Sequence, residues 1–252
     1  ITPSKLLARG LKAELERWNI VPNTSFGQYL GATDIGIFLR QSALALSNKL
    51  EIENVISLLK NVNCGNRDPL HSINVNKLEC LFIELGDSCL DSENQQFSDD
   101  YGEEFTAWYF WLQELIQSLK VQLEPAPLKN LLSLHRRFMK KLYEGCNYNI
   151  KGNEKKNSDA MLWESNIGEM VLNILGDLSQ LPETGEVYTF LQYKKIIDEA
   201  LFEDEINTEE ELMFPSVSIW GTLESRTQSA DVIILAALNE GDWPASFSED
   251  PW

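Results

Sequence analysis

The chain has 252 residues, of which 43% are apolar and 10% aromatic, enough for a sizeable core and far from a disordered composition. Acidic residues number 39 against 21 basic ones, and the net charge of −18 excludes a surface that grips phosphates throughout. No apolar run approaches the roughly 18–20 residues of a membrane span, and Ile1-Thr2-Pro3-Ser4-Lys5 lacks the layout of a secretion signal, so a cytoplasmic protein is expected.

Ile1-Thr2-Pro3 reads as the tail of a strand, with Pro3 and Ser4 opening a helix to about Trp18. Leu6, Leu7, Leu11, Leu15 and Trp18 recur on it at helical spacing. A short extended piece at 19–22 and a loop through Ser25-Phe26-Gly27 follow. From Asp34 the pattern is helical again, with Ile37, Phe38, Leu44 and Leu46, then Ile52, Val55, Ile56 and Leu59. Residues 103–122 place Phe105, Trp108, Leu112, Leu115, Ile116 and Leu119 on one stripe. Tyr109, Phe110 and Trp111 widen that stripe, which predicts a buried helix rather than a base-stacking platform. Pro125 and Pro127 precede a helix at 128–143, and the polar stretch 145–159 reads as a loop. Helices are expected at 161–180 and 187–201, with an acidic connector at 203–211.

The character then changes. Val217-Ser218-Ile219-Trp220 alternates like a strand, and 232–238 is a continuous apolar run suited to a strand covered on both faces of an α/β sheet. Asn239-Glu240-Gly241-Asp242 turns the chain before Trp243-Pro244. The pattern predicts an α/β fold of predominantly helical content, in which 1–33 and 213–252 flank a helical insertion at 34–212. The lack of an initiator methionine, with Met139 the first Met, and the ending Asp250-Pro251-Trp252 suggest a piece of a longer polypeptide.

The run Val217-Ser218-Ile219-Trp220-Gly221-Thr222-Leu223-Glu224-Ser225-Arg226-Thr227-Gln228-Ser229-Ala230-Asp231, followed by 232–238 and Asn239-Glu240-Gly241-Asp242-Trp243-Pro244, carries the most specific signal. It resembles the AddB family of alphaproteobacterial double-strand-break repair proteins, which has I-W-G-P-L-E-A-R-L-Q-x-A-D, an apolar strand and L-N-E-G-x-W-P. This chain departs at Thr222, where Pro is common, and at Thr227, where Leu is usual. Thr2-Pro3-Ser4-Lys5-Leu6-Leu7-Ala8-Arg9, Glu14-Leu15, Trp18-Asn19-Ile20 and Ser25-Phe26-Gly27 are similar to that family's T-P-D-R-x-L-A-R…E-L…W-G-I…S-x-G stretch.

The resemblance implies a place inside a larger ATP-dependent helicase–exonuclease. The two flanks would belong to a RecA-like second motor domain interrupted by a large helical insertion. Arg9 falls where superfamily 1 helicases carry an arginine that reaches the nucleotide's terminal phosphate. Gly221, Leu223, Glu224 and Arg226 fall in and after their K-G-L-E motif, which touches DNA and the nucleotide sugar. A guanidinium forks onto phosphate oxygens, and a glycine lets backbone approach a ligand closely. The resemblance also implies DNA as substrate, an AddA-type partner subunit, and ATP with Mg2+ for the parent protein.

Within the chain there is no G-x-x-x-x-G-K-[ST] phosphate loop, no carboxylate–x–Lys cluster in a nuclease context, and no fixed pair of carboxylates. The segment itself is therefore expected to carry no catalytic residue, metal or cofactor. Arg136, Arg137, Lys140 and Lys141 form the basic cluster open to DNA; solvated helix face is the competing reading. A helical module that docks the AddA-type partner without touching DNA is the alternative function, which the acidic balance favours. Cys64, Cys80, Cys89 and Cys146 have no metal or redox spacing and read as buried reduced thiols.

Overall fold

The protein is described by a computed structural model that covers residues 1–65, 68–86, 102–146, 162–182, 185–203, 205–206, 216–239 and 241. Among these, eight α-helices dominate and strands are few and two residues long. The helices are α1 (Lys5–Arg17), α2 (Asp34–Ser47), α3 (Ile52–Leu59), α4 (His71–Leu85), α5 (Gly102–Lys120), α6 (Leu128–Glu144), α7 (Asn166–Gln180) and α8 (Phe190–Phe202). The strands are β1 (Asn23–Thr24), β2 (Gln28–Tyr29), β3 (Glu205–Ile206) and β4 (Ser218–Ile219). The chain is thus predominantly helical with a small sheet. It divides into two compact units, Tyr29–Asp204 and the pair Ile1–Gln28 with Glu205–Trp252.

The helical unit begins with cap chemistry legible in its sequence. Thr33 accepts from the Gly36 amide and donates to the Leu30 carbonyl at 2.6 Å, which starts α2. Ser165 accepts from the Gly168 amide to start α7, and Thr189 with Gln192 forms a reciprocal capping box at α8. Helix α2 is the hub: it packs on α8, α3, α6 and α7, while α4 joins α3 to α5. Its buried face is Phe38, Leu39, Ala43, Ala45 and Leu46; small residues beside large ones let neighbouring helices approach closely.

Helix α5 buries Phe105, Trp108, Leu112, Leu115, Ile116 and Leu119, as its periodicity predicts, and Tyr109 as well. Phe110 is the exception at 52% exposure: nineteen residues of helix turn every direction outward somewhere, and Phe110 shares its side with Glu114 and Gln117. The expected helix at 161–180 is broken, because a helical turn at Leu162-Trp163 ends before Ser165 caps α7. The expected helix at 187–201 starts later, at Phe190, since Tyr188 instead pairs its backbone with Ala126 in both directions.

The unit closes its own two ends. Arg40 lies with its guanidinium 4.8 Å from the centre of the Phe202 ring, donates at 2.8 Å to Asp198, and donates at 3.2 Å to the Gly31 carbonyl. Tyr29 meets the same Phe202 ring at 5.4 Å. Burial works to raise the Asp198 pKa, but bonds from Lys194 and Arg40 together hold it below the usual carboxylate value. First and last segments of the helical unit are therefore tied by one cation between them.

The second unit is built from extended pieces. Strands β1 and β4 run parallel, Asn23 beside Ser218 and Thr24 beside Ile219. Ile1 donates to Ile234 and accepts from Ala236, the straddling pattern of a parallel pair, and Thr2 donates to Trp220. Ser4 caps α1 by accepting from Leu7. Helix α1 buries Ala8, and the residues of its apolar stripe stay at least partly open, with Leu6 82% and Trp18 78% exposed. One expectation fails here. The run at 232–238 is not a covered strand: Val232 is 78% and Ile234 74% exposed, and Ile1 alone pairs with its backbone among the described residues. Apolar composition sets what a segment would gain from burial; a layer on each side has to supply the burial.

The expected loop at 145–159 lies outside the described residues beyond Cys146. So do the acidic connector, apart from residues 203, 205 and 206, and the turn residues Glu240, Asp242, Trp243 and Pro244. No helix among the described residues is long and apolar enough to cross a membrane.

Candidate functional site

Parallel pairing of β1 and β4 brings their carboxyl ends to one side, and the turn Gly221-Thr222-Leu223-Glu224 emerges there. Ser25, just after β1, accepts from the Gly221 amide at 2.9 Å, and the Ser25 amide donates to Ile219 at 3.0 Å. A Cβ at Gly221 would meet the Glu224 carboxylate, the far end of an exposed side chain that can swing aside, and stand 3.6 Å from the Phe26 ring. The glycine thus lets a carboxylate fold back over its own backbone before the 3-10 turn Glu224–Thr227. In open α/β sheets the carboxyl edge of the strands is the usual ligand-binding edge.

Of the residues singled out from sequence, Gly221 and Glu224 are brought together. Leu223 and Arg226 follow on the same turn with exposed side chains. Arg9 stands exposed on the second turn of α1, and no hydrogen bond or ion pair joins it to the Gly221 turn among the described residues. Ser25 is the contact that sequence reasoning passed over. Its place in the Ser25-Phe26-Gly27 loop was the available signal.

Arg136, Arg137, Lys140 and Lys141 lie on α6 in the helical unit. Leu131, Leu132, Leu134, His135, Phe138, Met139, Leu142 and Tyr143 of the same helix are buried. At 100° per residue the buried positions fill one half of the helix and the basic ones, Lys129 included, fall within an arc of about 140° on the other. Arg137 is held by donating to Gln122 at 2.7 Å.

The two histidines occupy buried polar joints that sequence did not reveal. His71 must donate through Nε2 to the Leu59 carbonyl at 2.9 Å, so its Nδ1 is the acceptor for the Trp108 indole N–H at 3.3 Å. His135 lies 2.6 Å from the Ser42 hydroxyl and 2.7 Å from the Tyr193 hydroxyl. Ser42 also reaches the Phe38 carbonyl at 2.8 Å. One assignment uses each proton once: Tyr193 donates to Nδ1, Nε2–H donates to Ser42, and Ser42 donates to Phe38.

Ser72 follows His71 directly and Ser133 lies two residues before His135, yet it is Ser42, 93 residues away, that the fold sets against His135. That pair is still not a catalytic one. Ser42, His135 and Tyr193 are each at most 1% exposed, and the Ser42 proton is spent on its own helix. Burial lowers the His135 pKa to about 3, lowers that of His71, and raises those of Tyr193 and Cys64. Both networks are therefore neutral cross-links, α6 to α2 and α8 in one case and α4 to α3 and α5 in the other.

Cys64 is buried, as expected of the thiols, but Cys80 is exposed and Cys146 half-buried; none of the three forms a disulfide, and Cys89 lies outside the described residues. Cys80 sits on the outer side of α4, where helical periodicity overrides the residue's preference for the interior. No group of three or more His, Cys, Asp or Glu among the described residues is arranged to hold a metal ion. No family model, curated protein or solved structure matches this chain.

Proposed function

We propose that this chain is a non-catalytic segment of an AddB-type, ATP-dependent DNA helicase–exonuclease subunit acting in double-strand-break resection. In this reading 1–33 and 213–252 are the flanks of a RecA-like second motor domain and 34–212 is its helical insertion. One observation carries the reading. The turn Gly221-Thr222-Leu223-Glu224, matched to a helicase motif by resemblance, leaves the carboxyl end of a parallel strand pair, held there by Ser25. Arg9 would address a nucleotide phosphate, and Glu224 and Arg226 the sugar or the DNA. ATP and Mg2+ would be held chiefly by residues outside this chain, since it contains no phosphate loop.

The test is to read the surrounding gene and to co-purify its product with an AddA-type subunit. Continuation upstream into a phosphate-loop motor domain and downstream into a nuclease domain, with stable partner binding, supports the proposal. An open reading frame that stops near Trp252, with no partner retained, overturns it.

The second reading is a helical module that only docks the partner, and the net charge of −18 favours it. It predicts that partner retention survives reversal of the α6 cations while DNA binding is undetectable in the intact protein.

A further inference from the structure

Five of the chain's 21 Lys and Arg residues lie within the seventeen residues of α6, on a protein whose acidic residues outnumber its basic ones almost two to one. None of the five is buried, and the opposite half of the helix anchors the ridge with eight buried side chains. The ridge winds gently, each four-residue step turning about 40° around the helix. Lys129, Ser133, Arg137 and Lys141 follow at four-residue intervals, with Arg136 and Lys140 as a second row beside them. Four residues of helix rise about 6 Å, and Lys129 to Lys141 spans about 18 Å. This step is comparable to the distance between successive phosphates of an extended single strand. Glu144 ends the second row with the opposite charge.

We infer that α6 is a ridge that tracks the phosphate backbone of single-stranded nucleic acid, without selecting base or sugar. The inference deepens the DNA-contact reading of Arg136, Arg137, Lys140 and Lys141 and rests on it. A single strand fits where a duplex does not. A narrow band of cations about 18 Å long can neutralise one backbone, whereas a duplex would bring its second backbone toward the rest of a chain with a net charge of −18. Sequence and sugar are not read, because the exposed face of α6 carries no aromatic ring to stack a base and no amide pair facing a base edge beyond the single Asn130. Arg137, steadied by Gln122, presents a guanidinium rather than a free-swinging ammonium to the phosphate.

The experiment is fluorescence anisotropy on the whole chain with labelled dT20, rU20 and a 20-base-pair duplex, from 50 to 200 mM salt. The expected result is similar affinity for dT20 and rU20, weaker binding of the duplex, and a log–log salt slope of about −3.5, or about 100-fold weaker binding across that range. Replacing Lys129, Arg137, Lys140 and Lys141 by Gln, a good helix former, should flatten the slope to about −0.7 with the far-ultraviolet circular dichroism unchanged. Lys49→Gln with Lys195→Gln, exposed cations elsewhere on the same unit, should leave binding within about two-fold. Tighter duplex binding, undetectable binding at 50 mM salt, or equal losses in the α6 and control variants would each overturn the inference. The AddB reading stands or falls separately, on partner retention, which the α6 variant leaves intact.

Discussion

The two units of this chain spend similar kinds of residue to different effect. The helical unit buries Phe38, Phe105, Trp108, Tyr109 and Tyr193 to 1% exposure or less and cross-links them with two histidines. The unit of extended pieces buries only Ala8, Pro22 and Ile219 among its described apolar side chains, and leaves Leu6, Trp18, Leu223 and 232–235 in the open. Helices satisfy their own backbone and need only one covered face, so a handful of them can complete a core together. Parallel strands need neighbours on both edges and layers on both faces before apolar residues gain anything. The difference teaches that local order and stability are separate: β1, β4 and the Ile1 pairing are formed, but little apolar burial supports them.

The largest effect should come from the helical core. Trp108→Ala removes a ring packed on Phe105 and His71 and orphans the His71 acceptor, and is expected to cost about 3–5 kcal/mol in urea unfolding. Ile219→Ala in the other unit should cost less, about 2 kcal/mol at the low end for a buried Ile, because fewer layers are there to lose. Equal losses would erase the comparison.

Acid should act on the helical unit next. His135 is neutral when folded, with its pKa lowered from 6.5 to about 3 by burial, so the unfolded chain binds its proton first. Stability present above pH 6.5 is lost as pH falls, at about 1.4 kcal/mol per unit, reaching about 2 kcal/mol at pH 5 and levelling off near pH 3. His71, shifted in the same direction, adds to the slope. Urea midpoints at pH 7.5 and pH 5 measure this, and His135→Gln should flatten the difference; an unchanged slope in that variant would mean that another group titrates.

Glycine substitutions sharpen the contrast at a smaller scale. A Cβ on Gly36 would run into the Leu30 carbonyl, a backbone group that cannot step aside, so Gly36→Ala should cost about 1–3 kcal/mol. A Cβ on Gly10 in α1 meets nothing, so Gly10→Ala should stabilise α1 by up to about 1 kcal/mol. Thermal unfolding followed by circular dichroism separates these signs. The smallest expected effect is a cap. Ser4→Ala and Thr33→Ala each remove an N-cap acceptor, at about 1 kcal/mol, and hydrogen exchange should show the first confined to α1.

Much of this protein follows from its sequence alone. Helical periodicity and side-chain caps are local, so α2, α3, α5 and α6 can be read from Asp34, Ile52, Phe105 and Leu128 onward, and the basic face of α6 from its spacing. Alternation marks β4, and the glycine of Gly221-Thr222-Leu223-Glu224 stands out as a turn. What the tertiary structure decided is non-local. Ser42 is 93 residues from His135, and His135 is 58 from Tyr193, so no window of sequence could assemble that network. Ser25 and Gly221 are 196 apart. Tertiary structure also decided which apolar runs are covered: Trp108 and Val232 look equally hydrophobic in sequence, and only the layers packed around each make one a core residue and the other a surface.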